Sequence, residues 1–499
     1  MVTVIDNTNA RGAAGPASVG AAIRAKASSD KHKFFKPRTP IYPKLVHGRW
    51  RTIKWALLVI TLAIYWVTPW IRWARPPGAP HQAVLVDFFG PRFYFFFIEL
   101  WPQEVYFITG LLVMAALALF LTTALFGRLW CGYACPQTVW TDLFIVVERA
   151  FEGDRNARMK LDAAALSFNK VWRNGGKHLA WLAISFATGG AWIFYFQDAP
   201  TLIRTFWLGQ APITTYFSCA LLTATTYVLA GTMREQVCTY LCPWPRIQGA
   251  MIDDHTLQVI YLKERGEPRK PHKKNESWHG RGDCIDCQQC VIVCPMGIDI
   301  RNGCQIECIN CGLCVDACDV IMDRLERPRG LIGYDTDWAV AARTAGRKPH
   351  YQFIRPRTIY YGVTLALVSV VMVWGLMIRT PIVFDVLPDR NPQFVRLHDG
   401  AIRDGYTLKI DNRSFVRRDF VATVSGLGVQ TVESPGVGTV SGSFHFVAEP
   451  NETTALRVFV TVPAASLSGP NMPVAFQIRS GKLSAAKHSV FLSGEANQL

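Results

Sequence analysis

Thiolates do chemistry when several converge, and eight of the fourteen cysteines in this 499-residue chain fall in two runs of one spacing. The first run is Cys284, Cys287, Cys290 and Cys294, followed by Pro295; the second is Cys308, Cys311, Cys314 and Cys318. Each reads C-x2-C-x2-C-x3-C, the ligand pattern of a bacterial two-cluster ferredoxin. The x2 spacing curls the backbone around a compact core, so three thiolates come from one tight loop and the fourth from the other run. The pattern predicts one [4Fe–4S] cluster on Cys284, Cys287, Cys290 and Cys318, and a second on Cys308, Cys311, Cys314 and Cys294. Zinc also binds paired C-x2-C elements, but it needs only four ligands per site and has no use for the C-x3-C-P tail. Clusters of this kind carry single electrons.

Four further cysteines form two echoing pairs. Arg128-Leu-Trp-Cys131-Gly-Tyr133-Ala-Cys135-Pro136 and Arg234-Glu-Gln-Val-Cys238-Thr-Tyr240-Leu-Cys242-Pro243 both read C-x-Y-x-C-P, and each follows an apolar stretch. On a helix this spacing sets two sulfurs on one face, one turn apart, and the proline then limits the helix. Soft thiolate donors favour Cu(I), zinc or iron–sulfur over harder cations. Three uses stay open: a copper site, a further iron–sulfur cluster or redox dithiol, and packing of small apolar cysteines between helices. The repeated Tyr and Pro weigh against packing alone. Cys219 reads as a packing cysteine, and Cys304, which fits neither run, as a packed or free thiol. His255 lies beside Asp253 and Asp254 and reads as a surface or packing residue, as do His398, His445 and His488. His178, at a span entrance, lacks a second histidine for heme.

The elements that must position these groups are largely apolar. Half of the residues are hydrophobic, 12% are aromatic and the mean hydropathy is positive, values that suit a membrane protein. Five stretches, near 53–71, 105–126, 178–196, 213–230 and 358–377, have the length and apolarity of membrane spans. A sixth, 84–101, mixes aromatic residues with Asp87, Arg92 and Glu99 and suits an interfacial segment better than a span. Basic residues then orient the chain. Residues 1–54, 128–177 and 232–357 hold 37 of the 53 Lys and Arg. By the positive-inside rule these are cytoplasmic and the C-terminal region is external. A charge of +16 that follows topology rather than one face argues against nucleic-acid binding. Residues 1–50 read as a disordered basic leader with no cleavable signal, residues 51–250 as four spans with both thiol pairs, and residues 251–357 as the cluster-bearing insert. A fifth span over 358–378 leads to residues 385–499. Here β-branched alternation in 415–424, 456–462 and 474–478, broken by Gly and Pro, predicts an immunoglobulin-like β-sandwich. No cysteine follows Cys318, so that domain has no disulfide.

This combination resembles the cytochrome c oxidase accessory proteins, the family called CcoG, FixG or RdxA. The likeness is carried by the spans, both CxxxCP pairs and the two-cluster insert. The stretch from Ile252-Asp-Asp-His-Thr-Leu to Arg265-Gly-Glu-Pro-Arg269, the run Cys308-Ile-Asn-Cys-Gly-Leu-Cys and the immunoglobulin-like tail add to it. It spans roughly residues 40–499. The resemblance implies a cupric reductase of the bacterial cytoplasmic membrane that supplies Cu(I) for assembly of cbb3-type cytochrome oxidase. Cys131, Cys135, Cys238 and Cys242 are then the expected catalytic copper site. The expected partners are membrane lipid, a cytoplasmic electron donor, a copper chaperone or copper-exporting ATPase, and oxidase assembly components; a homodimer is allowed. Two rivals stand beside it: an electron-transfer or redox-sensing subunit of a larger membrane complex, and an assembly scaffold that holds a partner through its β-sandwich.

Overall fold

A computed structural model describes residues 40–494, apart from breaks at 76–78, 89, 274–275, 415, 429, 436–437, 441–442 and 468. Among the described residues four helical segments are long and apolar enough to cross a membrane: Arg49–Trp70, Pro102–Phe126, Ile213–Met233 and Pro356–Met377. The Tyr106–Phe126 helix carries no charge, and Leu111 and Leu112 on its flank are exposed, as a lipid-facing surface requires. It packs against Pro356–Met377 at Gly110, where a Cβ would overlap the Met372 side chain.

The expected third span lies in a 26-residue helix, Phe168–Ile193. It is less apolar than the other four because Lys170, Arg173, Lys177 and His178 occupy its first half. It nevertheless runs between the same two faces of the bundle. Lys177 pairs with Glu152 at 2.6 Å near one end, and beyond the other end the Tyr195 hydroxyl donates to the Tyr65 carbonyl at 3.0 Å. Among the described residues the bundle therefore sets this helix beside the four segments that meet the length and hydropathy of a span.

Residues 84–101 do not cross the bundle. They form a three-stranded antiparallel sheet of Val84–Asp87, Arg92–Phe95 and Ile98–Leu100, with Phe95 and Phe97 exposed. The sheet sits at one end of the helices, tied there by Val86 N–H to the Tyr195 carbonyl at 2.8 Å. At this end the C-terminal domain also docks. Glu104, only 2% exposed, accepts from Arg379 at 2.6 Å and Arg413 at 2.7 Å. At the far end of the Tyr106–Phe126 helix, Leu257 N–H donates to the Leu125 carbonyl at 3.0 Å, where the insert begins. A 21-residue helix is about 31 Å long. The insert and the C-terminal domain thus occupy opposite ends of the bundle.

The C-terminal domain is a two-sheet β-sandwich. One sheet centres on Ile402–Asn412 paired antiparallel with Glu452–Val462, flanked by Ile382–Pro388 and Thr431–Ser434. The other runs Ser443–Ala448, Arg418–Ser425, Asn471–Ser480 and Leu483–Leu492. In–out alternation from Ile402 to Ile410 points Tyr406, Leu408 and Ile410 inward, where they meet Phe420, Phe476 and Phe491. The alternating stretches 456–462 and 474–478 lie within these strands and 415–424 overlaps the Arg418–Ser425 strand, while residue 415 lies outside the described residues; no disulfide joins any of the cysteines.

The insert is small. A two-stranded ribbon, Gln258–Tyr261 with Ile332–Asp335, braces the short helix Gln289–Ile292 and the longer helix Leu313–Arg324. The expected leader ends earlier than residue 50. Residues 40–48 pack on the insert, with Val46 buried and Lys44 N–H bonded to the Ile292 carbonyl at 3.1 Å; residues 1–39 lie outside the described residues.

Candidate metal and electron-transfer site

The two cysteine runs fold into the same turn. Asp286 and Gln288 in the first, and Asn310 and Gly312 in the second, occupy matching positions and all have positive φ between 52° and 71°. This left-handed kinking curls each loop around a centre. At Gly312 it also leaves no room for a side chain, because a Cβ would lie 2.8 Å from the Trp50 ring. Cys284, Cys287, Cys290 and Cys318 line one cavity, closed by Ile321, Leu331 and Ile332. Cys294, Cys308, Cys311 and Cys314 line a second with Ile300 and Leu313, and Cys290 reaches its edge. The Leu313–Arg324 helix serves both, sending Cys314 to one and Cys318, one turn on, to the other. The structure thus brings three cysteines of each run together with the last cysteine of the other run. Each quartet is all-thiol with apolar walls, a donor set suited to [4Fe–4S] clusters. Among the described residues no three His, Cys, Asp or Glu stand at the spacing of a single bound ion.

The two CxxxCP pairs converge as well. Cys131, Cys135, Cys238 and Cys242 line one cavity of about 270 Å³, walled by Leu119, Trp130, Val237, Trp244 and Ile309. The local structure differs from a helix stopped by proline. Cys131 lies in the short helix Leu129–Tyr133, Cys135 caps the next helix, Pro136–Glu152, and Pro136 opens it at the first position, where a missing N–H costs nothing. Cys238 lies in a π-turn, Val237–Leu241, which Cys242 ends. Such turns are rare and recur at functional sites. Burial pushes the Cys131 thiol up to about 12 and the Cys238 thiol to about 11, and raises Cys135 as well. A metal ion entering here displaces protons.

The pair cavity and the second cluster cavity share a wall. Ile309 lines both. Gly132, between the two cysteines of the first pair, lies so close to the insert that a Cβ would sit 2.5 Å from the Ile309 carbonyl oxygen and 3.1 Å from Cys311 Cα. The Tyr133 hydroxyl donates to the Cys311 carbonyl at 3.0 Å. Arg128 clamps the same junction, donating to the carbonyls of Ile306 and, at 2.6 Å, Pro245. Gln248, fully buried, accepts from the Cys131 thiol at 3.2 Å and donates to Thr123 at 3.3 Å.

Sequence reasoning missed Gly132, Arg128 and Gln248. The repeated Tyr was a visible signal, yet its two copies part company: Tyr133 is buried against the insert and Tyr240 is 38% exposed. Cys219 is buried among Ile193 and Leu202, as expected of a packing residue. The Cys304 thiol donates to Gln258 at 2.9 Å and joins neither quartet. His255 stacks on Trp338, and His178 bonds the Tyr227 hydroxyl at 2.9 Å.

Comparison with known proteins places this arrangement. Residues 233–337 match a 4Fe-4S dicluster domain, residues 107–152 a 4Fe-4S binding domain, and residues 372–494 the IG-like fold at the C-terminal of FixG. The nitrogen fixation protein FixG of Rhizobium meliloti is 49% identical over 458 residues, covering 86% of this chain and 87% of that protein. Protein RdxA of Cereibacter sphaeroides is 49% identical over 435 residues, 87% of this chain and 91% of its own. A crystal structure of a FixG-related protein from Vibrio parahaemolyticus covers 23% of this chain and 97% of its own at 19% identity, with a TM-score of 0.20. At the identity and coverage of the two relatives the likeness is one of common descent, and the chain belongs to the FixG/RdxA family of membrane-bound iron–sulfur oxidoreductases.

Proposed function

We propose that this protein is a cupric reductase of the bacterial cytoplasmic membrane, which converts Cu(II) to Cu(I) for assembly of cbb3-type cytochrome oxidase. The observation that carries the reading is the shared wall: one peptide segment, Ile309–Cys311, separates the second cysteine quartet from a cavity lined by four further thiols. Cys284, Cys287, Cys290 and Cys318 hold one [4Fe–4S] cluster, and Cys308, Cys311, Cys314 and Cys294 the other. When bound, the clusters supply single electrons at low potential, so reduction of Cu(II) is downhill. The pair cysteines receive copper as substrate. Cu(I) is the softer ion and is satisfied by two thiolates, which suits pairs that are not drawn into a single-ion site. Tyr133 and Arg128 fix the distance across the wall.

The positive-inside rule puts the insert and both pairs in the cytoplasm and the sandwich in the periplasm. Delivery of Cu(I) to a copper chaperone or copper-exporting ATPase follows from that sidedness. The test uses purified protein with chemically reduced clusters and no free thiol. Serine at Cys131, Cys135, Cys238 and Cys242 should abolish Cu(II) reduction and copper binding; unchanged values for both sink the assignment. A second reading is favoured by the 4Fe-4S binding domain match over residues 107–152, which contains the first pair. In it the four pair cysteines hold a third cluster, and iron content approaches about twelve atoms per chain rather than about eight.

A further inference from the structure

The two cluster cavities are not equivalent, and the difference identifies where electrons come from. The second is walled off against the membrane bundle through Ile309. The first shares no lining residue with the pair cavity. Of the eight cysteines in the two runs only Cys287 is exposed, and its neighbours Asp286 and Gln288 are exposed with it. One corner of the first quartet therefore faces water.

That corner is framed by cations. The segment 263–281 wraps the first run, held by Lys270 N–H to the Cys284 carbonyl at 3.3 Å and Asp283 N–H to the Arg265 carbonyl at 3.0 Å. It carries seven Lys and Arg against three Glu. Arg269, Lys270 and Lys273 are exposed. From the other flank, Lys44 is exposed and its ammonium bonds Gln289, beside Cys290, at 3.2 Å. Several carboxylates nearby are matched by their own arginines, while Asp319, beside Cys318, accepts from the Gly330 N–H at 3.0 Å. Arg301 holds both Asp286 and Asp299, Asp283 sits between Arg265 and Arg327, and Glu267 faces Arg269 at 3.8 Å. The surplus charge on the rim is positive.

We infer that the face around Asp286–Gln288, framed by Lys44, Arg269, Lys270 and Lys273, docks a small one-electron carrier protein with an acidic surface. A cubane takes electrons one at a time, and the exposed corner is a loop rather than a pocket for a dinucleotide. A positive rim steers an acidic carrier and repels a basic one. In the docked complex the reduced carrier gives up one electron to the first cluster; the carrier is oxidised and the cluster reduced by one, with no proton or bond exchanged. This names the electron donor of the reading above. It rests on the two-cluster assignment alone and not on copper.

The test is anaerobic stopped-flow reduction of the oxidised full-length protein by a reduced acidic plant-type [2Fe–2S] ferredoxin, with no copper present, read as cluster bleaching. For the parent, the second-order rate constant should fall about tenfold or more between low and physiological salt. The triple variant Lys44→Glu, Lys270→Glu, Lys273→Glu should be at least about tenfold slower at low salt and nearly insensitive to salt. Its iron content, reduced EPR spectrum and reduction by dithionite should match the parent. Lys348→Glu, a reversal on an exposed part of the insert outside the rim, should change nothing. A parent rate that does not fall with salt, or equal slowing by the control reversal, overturns the proposal. So does a fully loaded triple variant that reacts like the parent. Failure here leaves Cu(II) reduction by chemically reduced protein intact, and failure of the copper reading leaves this rate untouched.

Discussion

Replacing Gly132 by alanine tests the wall between the insert and the thiol pairs. The new Cβ would sit 2.5 Å from the Ile309 carbonyl oxygen, against an ordinary carbon–oxygen approach of about 3.3 Å, so the two surfaces must part by about 0.8 Å. Both are backbone, with no flexible side chain to swing aside, and Cys311 Cα and N, at 3.1 and 3.2 Å, are crowded as well. Overpacking of this kind costs about 1–3 kcal/mol. Electron transfer weakens exponentially with separation, so Cu(II) reduction by chemically reduced protein should slow severalfold while iron content stays at the parent level. The matched control is Gly175→Ala on the Phe168–Ile193 helix, where a Cβ meets nothing within 4 Å. There the substitution should stabilise by about 0.4–1 kcal/mol and leave the rate unchanged. Stability by thermal unfolding and rate by single-turnover absorbance are measured on both. A Gly132→Ala protein with parental rate and stability would refute the shared wall as the electron route.

Three other outcomes follow from named contacts. Glu104→Gln removes the carboxylate that pairs with both Arg379 and Arg413, and breaking a buried pair of this kind costs about 3–5 kcal/mol; faster proteolysis between the fifth long helix and the sandwich should report it, and parental resistance would count against the junction. Arg128→Gln strands carbonyls of Ile306 and Pro245 at about 1–3 kcal/mol for each buried group, so hydrogen exchange over residues 304–312 should quicken. Burial raises the Asp404 carboxyl to about 6, above its unfolded value of about 3.9, so the folded sandwich binds the extra proton between those values and loses stability as pH rises through that window. Calorimetry of the parent and of Asp404→Asn should diverge between about pH 4 and 6, and parallel profiles would remove the assignment.

Much of this was readable beforehand because the signals are short-range. The two-cluster ferredoxin spacing is a local pattern that assigns three cysteines of each run to one centre and the fourth to the other, and the Leu313–Arg324 helix carries Cys314 to one cavity and Cys318 to the other. Strand alternation marked the sandwich for the same reason: period two is local. The failures are long-range. Pro136 opens a helix instead of closing one, because the chain turns at Cys135 to meet the insert. The charged first half of Phe168–Ile193 lowers its hydropathy, yet Lys177 finds Glu152 from a helix distant in sequence. Gly132 carries no pattern at all; its meaning exists only where the Ile309–Cys311 segment comes to rest.

The Leu313–Arg324 helix has a further consequence, for how the protein matures. With Cys314 lining one cavity and Cys318 the other, the helix ties the two loops together. Filling one centre fixes the helix register and pre-arranges the remaining ligands, so the second loading is easier than the first. Under iron scarcity a population of such chains should then divide into empty and complete molecules, which native mass spectrometry of partly loaded protein checks. Supply of iron and sulfide then acts on this protein as a threshold rather than a dial.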